Sequence, residues 1–449
     1  MSAVPGVTWA RCKRNRNGEP FMPTTPATPV SGRGRGRIRD RSVAARWPRR
    51  GRLVAARPVR RAGVMLGLAG CLLGGAAMAP AGLGAAALAA GHSAGWGIVP
   101  SPNGSAAADN ALVQVSAGPG GSAWAVGYDG YNGQFRTMIQ RWNGARWTVV
   151  RSPSVGPLDN TLSGVATQSA TDAWAAGYYS VAVGLFAFHR ALIERWNGSA
   201  WQVTPTPLAG KRDSDLSGVT ALSAANAWAV GNVNVGTCAN PARCFRFAPL
   251  VEHWNGSAWT LVKVPAPPPA GYGASLFGVA ATSPHNIWAV GNYDTGRRFQ
   301  PLIEHFNGTR WAIVPAPAAG SAILNRISMS TPTNGWAVGV TGASSPGHTQ
   351  ALAEHWNGHH WTQVSTPAIK ASSLAGVLTL SPHLAWAVGS AAAPHGDTCT
   401  LTERWNGHTW AIAPSPNLPP ASELIGIAGT PQHLWAVGAA LTNTLILRR

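Results

Sequence analysis

Between Leu216 and Pro267 the chain alternates short apolar runs with turn residues. Leu216-Ser-Gly-Val-Thr-Ala-Leu-Ser comes first, then Ala227-Trp-Ala-Val-Gly. After a variable insert, Leu250-Val-Glu-His-Trp and Trp259-Thr-Leu-Val flank an Asn-Gly pair at Asn255 and Gly256. Four short apolar runs separated by turn signals predict four short strands.

The same unit recurs along most of the chain. Its second-strand signature, Trp-Ala-Val-Gly or Trp-Ala-Ala-Gly, begins at Trp124, Trp174, Trp228, Trp288, Trp336, Trp386 and Trp435, in steps of 50, 54, 60, 48, 50 and 49 residues. Periods of about 40–50 residues with four strands each are the pattern of propeller blades. Seven copies predict seven blades. The third and fourth strands form a hairpin around Asn-Gly: Trp142 to Trp147, Trp196 to Trp201, Trp254 to Trp259, Phe306 to Trp311, Trp356 to Trp361 and Trp405 to Trp410. Asn and Gly tolerate the positive φ that a tight hairpin turn needs, and the flanking aromatics are placed to pair across the ladder or against the next blade.

Six hairpins for seven second strands leave one fourth strand to find. The final run, Thr444-Leu-Ile-Leu-Arg-Arg449, is a third strand, and Trp96-Gly-Ile-Val-Pro-Ser-Pro matches the fourth-strand pattern Trp410-Ala-Ile-Ala-Pro-Ser-Pro. The expected fold is therefore all-β: a seven-bladed β-propeller over 92–449, four strands per blade. The strand around Trp96 completes the last blade and closes the ring, which removes exposed sheet edges.

This topology sorts the loops. Second-to-third and blade-to-blade loops share one face; the Asn-Gly hairpins and first-to-second turns share the other. The first face varies in length and chemistry, and variable loops on a rigid frame are where binding concentrates. Its aromatic and cationic residues crowd into blades one to four: Tyr128, Asp129, Tyr131, Phe135 and Arg136; then Tyr178, Tyr179, Phe186, Phe188, His189 and Arg190; then Arg243, Phe245, Arg246 and Phe247; then Tyr293, Asp294, Arg297, Arg298 and Phe299. Blades five to seven add mainly His348, His395 and Asp397. The candidate ligand-binding set is Tyr128, Tyr131, Arg136, Tyr179, His189, Arg190, Arg243, Arg246, Tyr293, Arg297 and Arg298, an aromatic and arginine surface suited to a sugar, an anionic polymer or a protein. The competing reading is ordinary loop anchoring.

Charge changes the picture at one end only. Of 35 Lys and Arg and 16 Asp and Glu, 16 basic residues and just Glu19 and Asp40 lie within 1–61, so the net +19 belongs mostly to that head. Residues 1–61, rich in Arg, Gly and Pro, have too little apolar content for a core and read as a disordered basic leader. With almost no interleaved aromatics they read as a leader rather than a nucleic-acid arm, and no nucleic acid is expected to bind the propeller. The uncharged run 62–91 directly follows Arg60-Arg61 and reads as a signal peptide with Ala87-Leu-Ala89 at its end, or as a membrane anchor if uncleaved. Either way the remainder is exported, secreted or held at the cell surface.

Other motifs carry less. The five cysteines include no C-x-x-C pair, which disfavours a structural zinc site; Cys238 and Cys244 lie within one loop and in an exported protein are a candidate disulfide, the alternative being two free thiols. Cys399 has no evident partner. Gly91-His-Ser-Ala-Gly95 spells a nucleophile elbow, but lacks the strand-turn-helix context. Gly118-Pro-Gly-Gly-Ser-Ala123 leads into a strand rather than a helix and is no dinucleotide loop. His355, His359 and His360 surround one hairpin without an acidic ligand nearby. Glu194, Glu252, Glu304, Glu354 and Glu403 recur in five blades and so serve the blade. The sequons at Asn197, Asn255 and Asn307 fall in the hairpin turns. No metal, cofactor or catalytic residue is assigned.

At Trp-Ala-Val-Gly and Trp-Asn-Gly-x-x-Trp the chain resembles a broad group of exported bacterial β-propeller proteins. Its hairpins are also similar to those of seven-bladed lectins built on Trp-Asp-Gly-x-x-Trp, and more loosely to kelch-like propellers and the Asp boxes of sialidases. The lectin resemblance implies sugar pockets between blades. The function expected is that of a monomeric extracellular binding module for a glycan or a cell-surface protein; the alternative is a propeller enzyme, a glycoside hydrolase or lyase, acting on extracellular polysaccharide.

Overall fold

The computed structural model describes residues 95–449, except 105–108, 185, 208–212, 237–245, 268–272, 318–319, 346, 394–395 and 419. The leader, the 62–91 segment, Cys238 and Cys244, Arg243, His395 and most of the Gly91–Gly95 motif lie outside the described residues, as do the side chains of Tyr131 and Phe186.

Among the described residues the strands group into seven four-stranded units, and no α-helix is present. Unit one is Asn110–Ala117, Ala123–Tyr131, Gln134–Trp142 and Trp147–Val150, antiparallel throughout. Units two to six repeat it, three and four sharing one bridge at Phe247 and Gly273. Unit seven consists of Ser422–Thr430, His433–Ala440 and Asn443–Arg448, and its fourth strand is Gly97–Val99, with Gly97 opposite Arg448 and Val99 opposite Ile446.

The period-two alternation of the second strand explains how units stack. Ala227 and Ala229 face unit two, while Trp228 and Val230 face unit four. The small alanines leave room for the indole of the preceding unit: Trp174 sits 5.0 and 5.1 Å from Trp254 and Trp259. Trp124 is held the same way by Trp196 and Trp201, and Trp435 by Trp142 and Trp147 of unit one. A basic side chain from the adjoining third strand covers each of these indoles: Arg141, Arg195, His253, His305, His355, Arg404 and Arg448. Apolar clusters join every consecutive pair of units, and a further one, with Trp435, Val437 and Ile446 packed on Leu112, Ala123 and Trp142, joins unit seven to unit one.

The first strands lie innermost, each touching the first strand of the next unit and the last touching that of unit one. Each bulges just after a buried leucine, as between Leu216 and Gly218. The residue following the bulge is glycine in five units (Gly164, Gly218, Gly278, Gly376, Gly426) and a long side chain in two, Gln114 and Arg326. Arg326 reaches across the middle of the molecule. Its Nη1 donates to the Phe277 and Asn325 carbonyls at 2.8 and 3.0 Å, and its Nη2 to the Ser163 carbonyl of unit two at 3.3 Å. Burial pulls this guanidinium down to about 10.

In the hairpins only the glycine takes positive φ, as at Gly256 (98°); the asparagine does a different job. Asn255 Oδ1 accepts from the Ser257 and Ala258 backbone amides at 3.0 Å and from the Ser257 hydroxyl at 2.8 Å. Ser199, Ser257 and Thr309 of the hairpin sequons thus complete an Asx turn.

Candidate functional site

The loop face is held down by the residues that lead into the first strands. Asp159 Oδ1 accepts the Phe135 amide at 2.9 Å, and Asp213 Oδ1 accepts the His189 amide at 2.7 Å. Ser321 and Asn417 receive Phe299 and Thr400 in the same way. Each bond ties the outer end of one unit's third strand to the entry of the next, so the tips stand on a fixed base.

On that base the sequence-selected residues divide into two groups. Tyr128 is half-buried with its ring 4.6 Å from Phe135, and desolvation of its hydroxyl, reinforced by Glu423 and Asp109, pushes it up to about 12. Arg190 is buried and donates from Nη1 to the His189 carbonyl at 2.9 Å. Tyr179 packs on the core between units one and two, and Tyr293 on that between units three and four. These four are placed as anchors. Arg136, Arg246, Arg297 and Arg298 are exposed, the last two on a turn fixed by Asp294 Oδ1 accepting the Gly296 amide at 2.7 Å.

His189 belongs to a constellation assembled from units two and three. Its ring stacks on Tyr178, with centroids 4.0 Å apart and planes at 15°. Its Nδ1 lies 3.9 Å from Asp215 Oδ2, and Asp215 Oδ1 accepts from Asn232 Nδ2 at 2.9 Å. The His189 side chain is 37% exposed and that of Asp215 23%, whereas Tyr178 is buried, which pushes its hydroxyl up to about 12. The arrangement offers an imidazole edge and a carboxylate, held in place from below, to hydroxyl or amide groups. Asp215 and Asn232 were not singled out from the sequence. The signal was present: they oppose each other in register, and only Asp215 and, in unit seven, Glu423 are acidic at a position where the other five units have Ala111, Thr161, Ser275, Ile323 and Ser373.

The repeated glutamates lie elsewhere. Glu194, Glu252, Glu304, Glu354 and Glu403 are wholly buried within the frame. Burial pushes Glu194, Glu252 and Glu304 up to about 8 and Glu403 up to about 7; in Glu194 the Ser152 hydroxyl, donating at 2.9 Å, opposes this. No group of three or more potential metal ligands occurs among the described residues.

No family profile and no curated protein match this chain. Solved structures do, and they are propellers. YCF48 bound to D1 peptide is similar at a TM-score of 0.51 and 15% identity, over 80% of this chain and 96% of that one. The GH74 xyloglucanase from Xanthomonas campestris is similar at 0.50 and 12% identity, over 78% of this chain and 53% of that one. The WD40 propeller domain of Doa1 is similar at 0.48 and 9% identity, over 80% and 98%. At these identities the likeness to YCF48 and to the xyloglucanase is one of fold, and with the strand units above it makes the chain an all-β propeller.

Proposed function

We propose that this protein is a ligand-binding module, exported through its 62–91 segment, in which the seven units form a closed seven-bladed propeller. It recognises a carbohydrate or a surface protein through the loop face of units one to four. The observation that carries this reading is the His189, Asp215 and Asn232 cluster. His189 and Asp215 are partly exposed and held across two units, Asp215 by the buried Asn232, and the loops of units one, three and four add the exposed Arg136, Arg246, Arg297 and Arg298 to the same face. Groups fixed before the ligand arrives lower the ordering cost of binding. One neighbour is named as peptide-bound and another as a xyloglucanase, so both ligand classes have precedent on this fold.

A glycan array probed with the secreted protein tests the proposal. A saccharide hit is expected to weaken about 10-fold or more in His189→Ala and in Asp215→Asn, since each removes a charge-capable hydrogen-bond partner. The melting temperature should stay close to that of the parent, because His189 and Asp215 are partly exposed. Binding to a protein partner with no saccharide hit sinks the carbohydrate version. Ligands unaffected by both substitutions sink the site. The enzyme reading, a glycoside hydrolase or lyase, draws on the same cluster, since Tyr178, His189 and Asp215 adjoin; release of new reducing ends from polysaccharide that disappears in His189→Ala would favour it.

A further inference from the structure

Six of the seven signature indoles are covered by an aromatic from the next unit's third strand: Trp142, Trp196, Trp254, Phe306, Trp356 or Trp405. The seventh, Trp386, is not. At that position stands Arg449, its guanidinium carbon 4.6 Å from the Trp386 ring centroid, while Arg404 of unit six lies 5.9 Å from the same ring. Trp96 supplies the remaining contact, edge-on at 5.6 Å. Replacing an indole by a slim guanidinium leaves a pocket of about 450 Å³ beside Trp386, between the two arginines.

The pocket is on the hairpin side of units six and seven, with Asn406 of a hairpin at its edge and Ala411–Pro414 as an apolar wall. Two like charges share it, and among the described residues neither has a side-chain carboxylate within ion-pair distance, in contrast to Arg195, which pairs with Asp172 at 2.7 Å. Burial, and then the nearby Arg404, make the Arg449 cation less favourable than in water. An anion between the two guanidiniums would relieve that repulsion and accept from both forks. The depression, open to solvent on one side, has more room than a bare oxyanion needs.

We propose that this pocket binds an oxyanion carried on a sugar-sized group, the carboxylate of a uronic acid or the sulfate of a sulfated sugar. Arg404 and Arg449 grip the anion, and the Ala411–Pro414 wall contacts the apolar face of the ring. The site lies on the face opposite the His189 cluster, so its fate is separate from that of the loop face.

Isothermal titration of the full chain with a glucuronate-bearing disaccharide, a sulfated disaccharide, their uncharged parents and sodium sulfate tests it. At least one acidic saccharide is expected to bind more tightly than its parent. Its affinity should drop about 10- to 100-fold in Arg404→Gln and in Arg449→Gln, the range for losing a hydrogen bond to a charged group, and should weaken as salt is raised. Arg141→Gln removes the matching cation from Trp124 of unit one and should leave the affinity unchanged. If Arg404→Gln fails to accumulate as folded protein, Arg449→Gln, which leaves Arg404 stacked on Trp386, carries the test. The proposal is overturned if neither acidic saccharide binds, if binding survives Arg449→Gln, or if sodium sulfate binds as tightly as the saccharides, the mark of an adventitious ion only.

Discussion

Between about pH 5 and about pH 9 the melting temperature of this protein falls by about 10 °C or more, and the repeated glutamates carry the loss. These carboxyls are fully buried, and burial raises Glu194, Glu252 and Glu304 to about 8 and Glu403 to about 7 from an ordinary 4.5. Through that window the folded chain holds protons that the unfolded chain has released. The stability they contribute is present below the unfolded value and is lost as pH rises through the folded one. Each such group changes stability by up to about 1.4 kcal/mol per pH unit within its window. Three histidines act in the opposite sense: burial lowers His253, His305 and His355, so their contribution is lost as pH falls below their ordinary value of 6.5. They are only half-buried against their indoles and partly screened by water, so the glutamates dominate.

Unit one contains the control. Gln140 occupies the glutamate position, donates from Nε2 to the Pro102 carbonyl at 2.8 Å and accepts from the Ser101 hydroxyl at 3.3 Å. A neutral amide therefore fits this site. Glu252→Gln should be nearly silent at about pH 5 and raise the melting temperature by about 5 °C at about pH 8, as a group that can no longer ionise inside the frame. Scanning calorimetry at the two pH values measures both. A melting temperature that is flat with pH in the parent, or equal gains for Glu252→Gln at both pH values, would refute the assignment of buried, protonated carboxyls.

The frame was legible in the sequence because each of its parts is repeated. Trp228, the hairpin of Asn255 and Gly256 and the fourth-strand match between Trp96 and Trp410 each announce one physical job done many times. The glutamates were legible as frame residues on the same ground, though only the structure shows why carboxyls there would hold their protons. The loop face was less legible, because side-chain type says little about direction. Tyr128 and Arg190 have the chemistry of a binding surface yet are engaged within their own units, Tyr128 against Phe135 and Arg190 with the His189 carbonyl, while Asp215, the carboxylate beside His189, sits in a strand rather than a loop. The pocket beside Trp386 depends on one departure from the repeat, Arg449 where other units have an aromatic, and departures are visible only once the register of every unit is known.

The same distinction between repetition and necessity separates two glycines of unit three. Both recur, neither has a positive φ, and propensity alone would rank Gly218→Ala and Gly231→Ala together. The space around them differs. A Cβ on Gly231 would lie 2.0 Å from the Asp215 carbonyl oxygen and 2.8 Å from Leu216 Cα. That oxygen is backbone, set there by the bulge after Leu216, so it can move only if the first and second strands part. A Cβ on Gly218 would meet its nearest atom, the Phe277 carbonyl oxygen, at 3.2 Å, a crowding that a shift of a few tenths of an ångström relieves. The chain itself has made the larger change at this second position, since Gln114 and Arg326 occupy it in units one and five. Gly231→Ala is therefore expected to cost about 4 kcal/mol or to prevent folding, the scale of strain with no room to relax. Gly218→Ala should stay within about 1 kcal/mol of the parent, the lost chain entropy of the unfolded glycine offsetting the crowding. Urea unfolding of the two variants decides the matter, and equal midpoints would show that the bulged carbonyl does not impose the glycine of the signature.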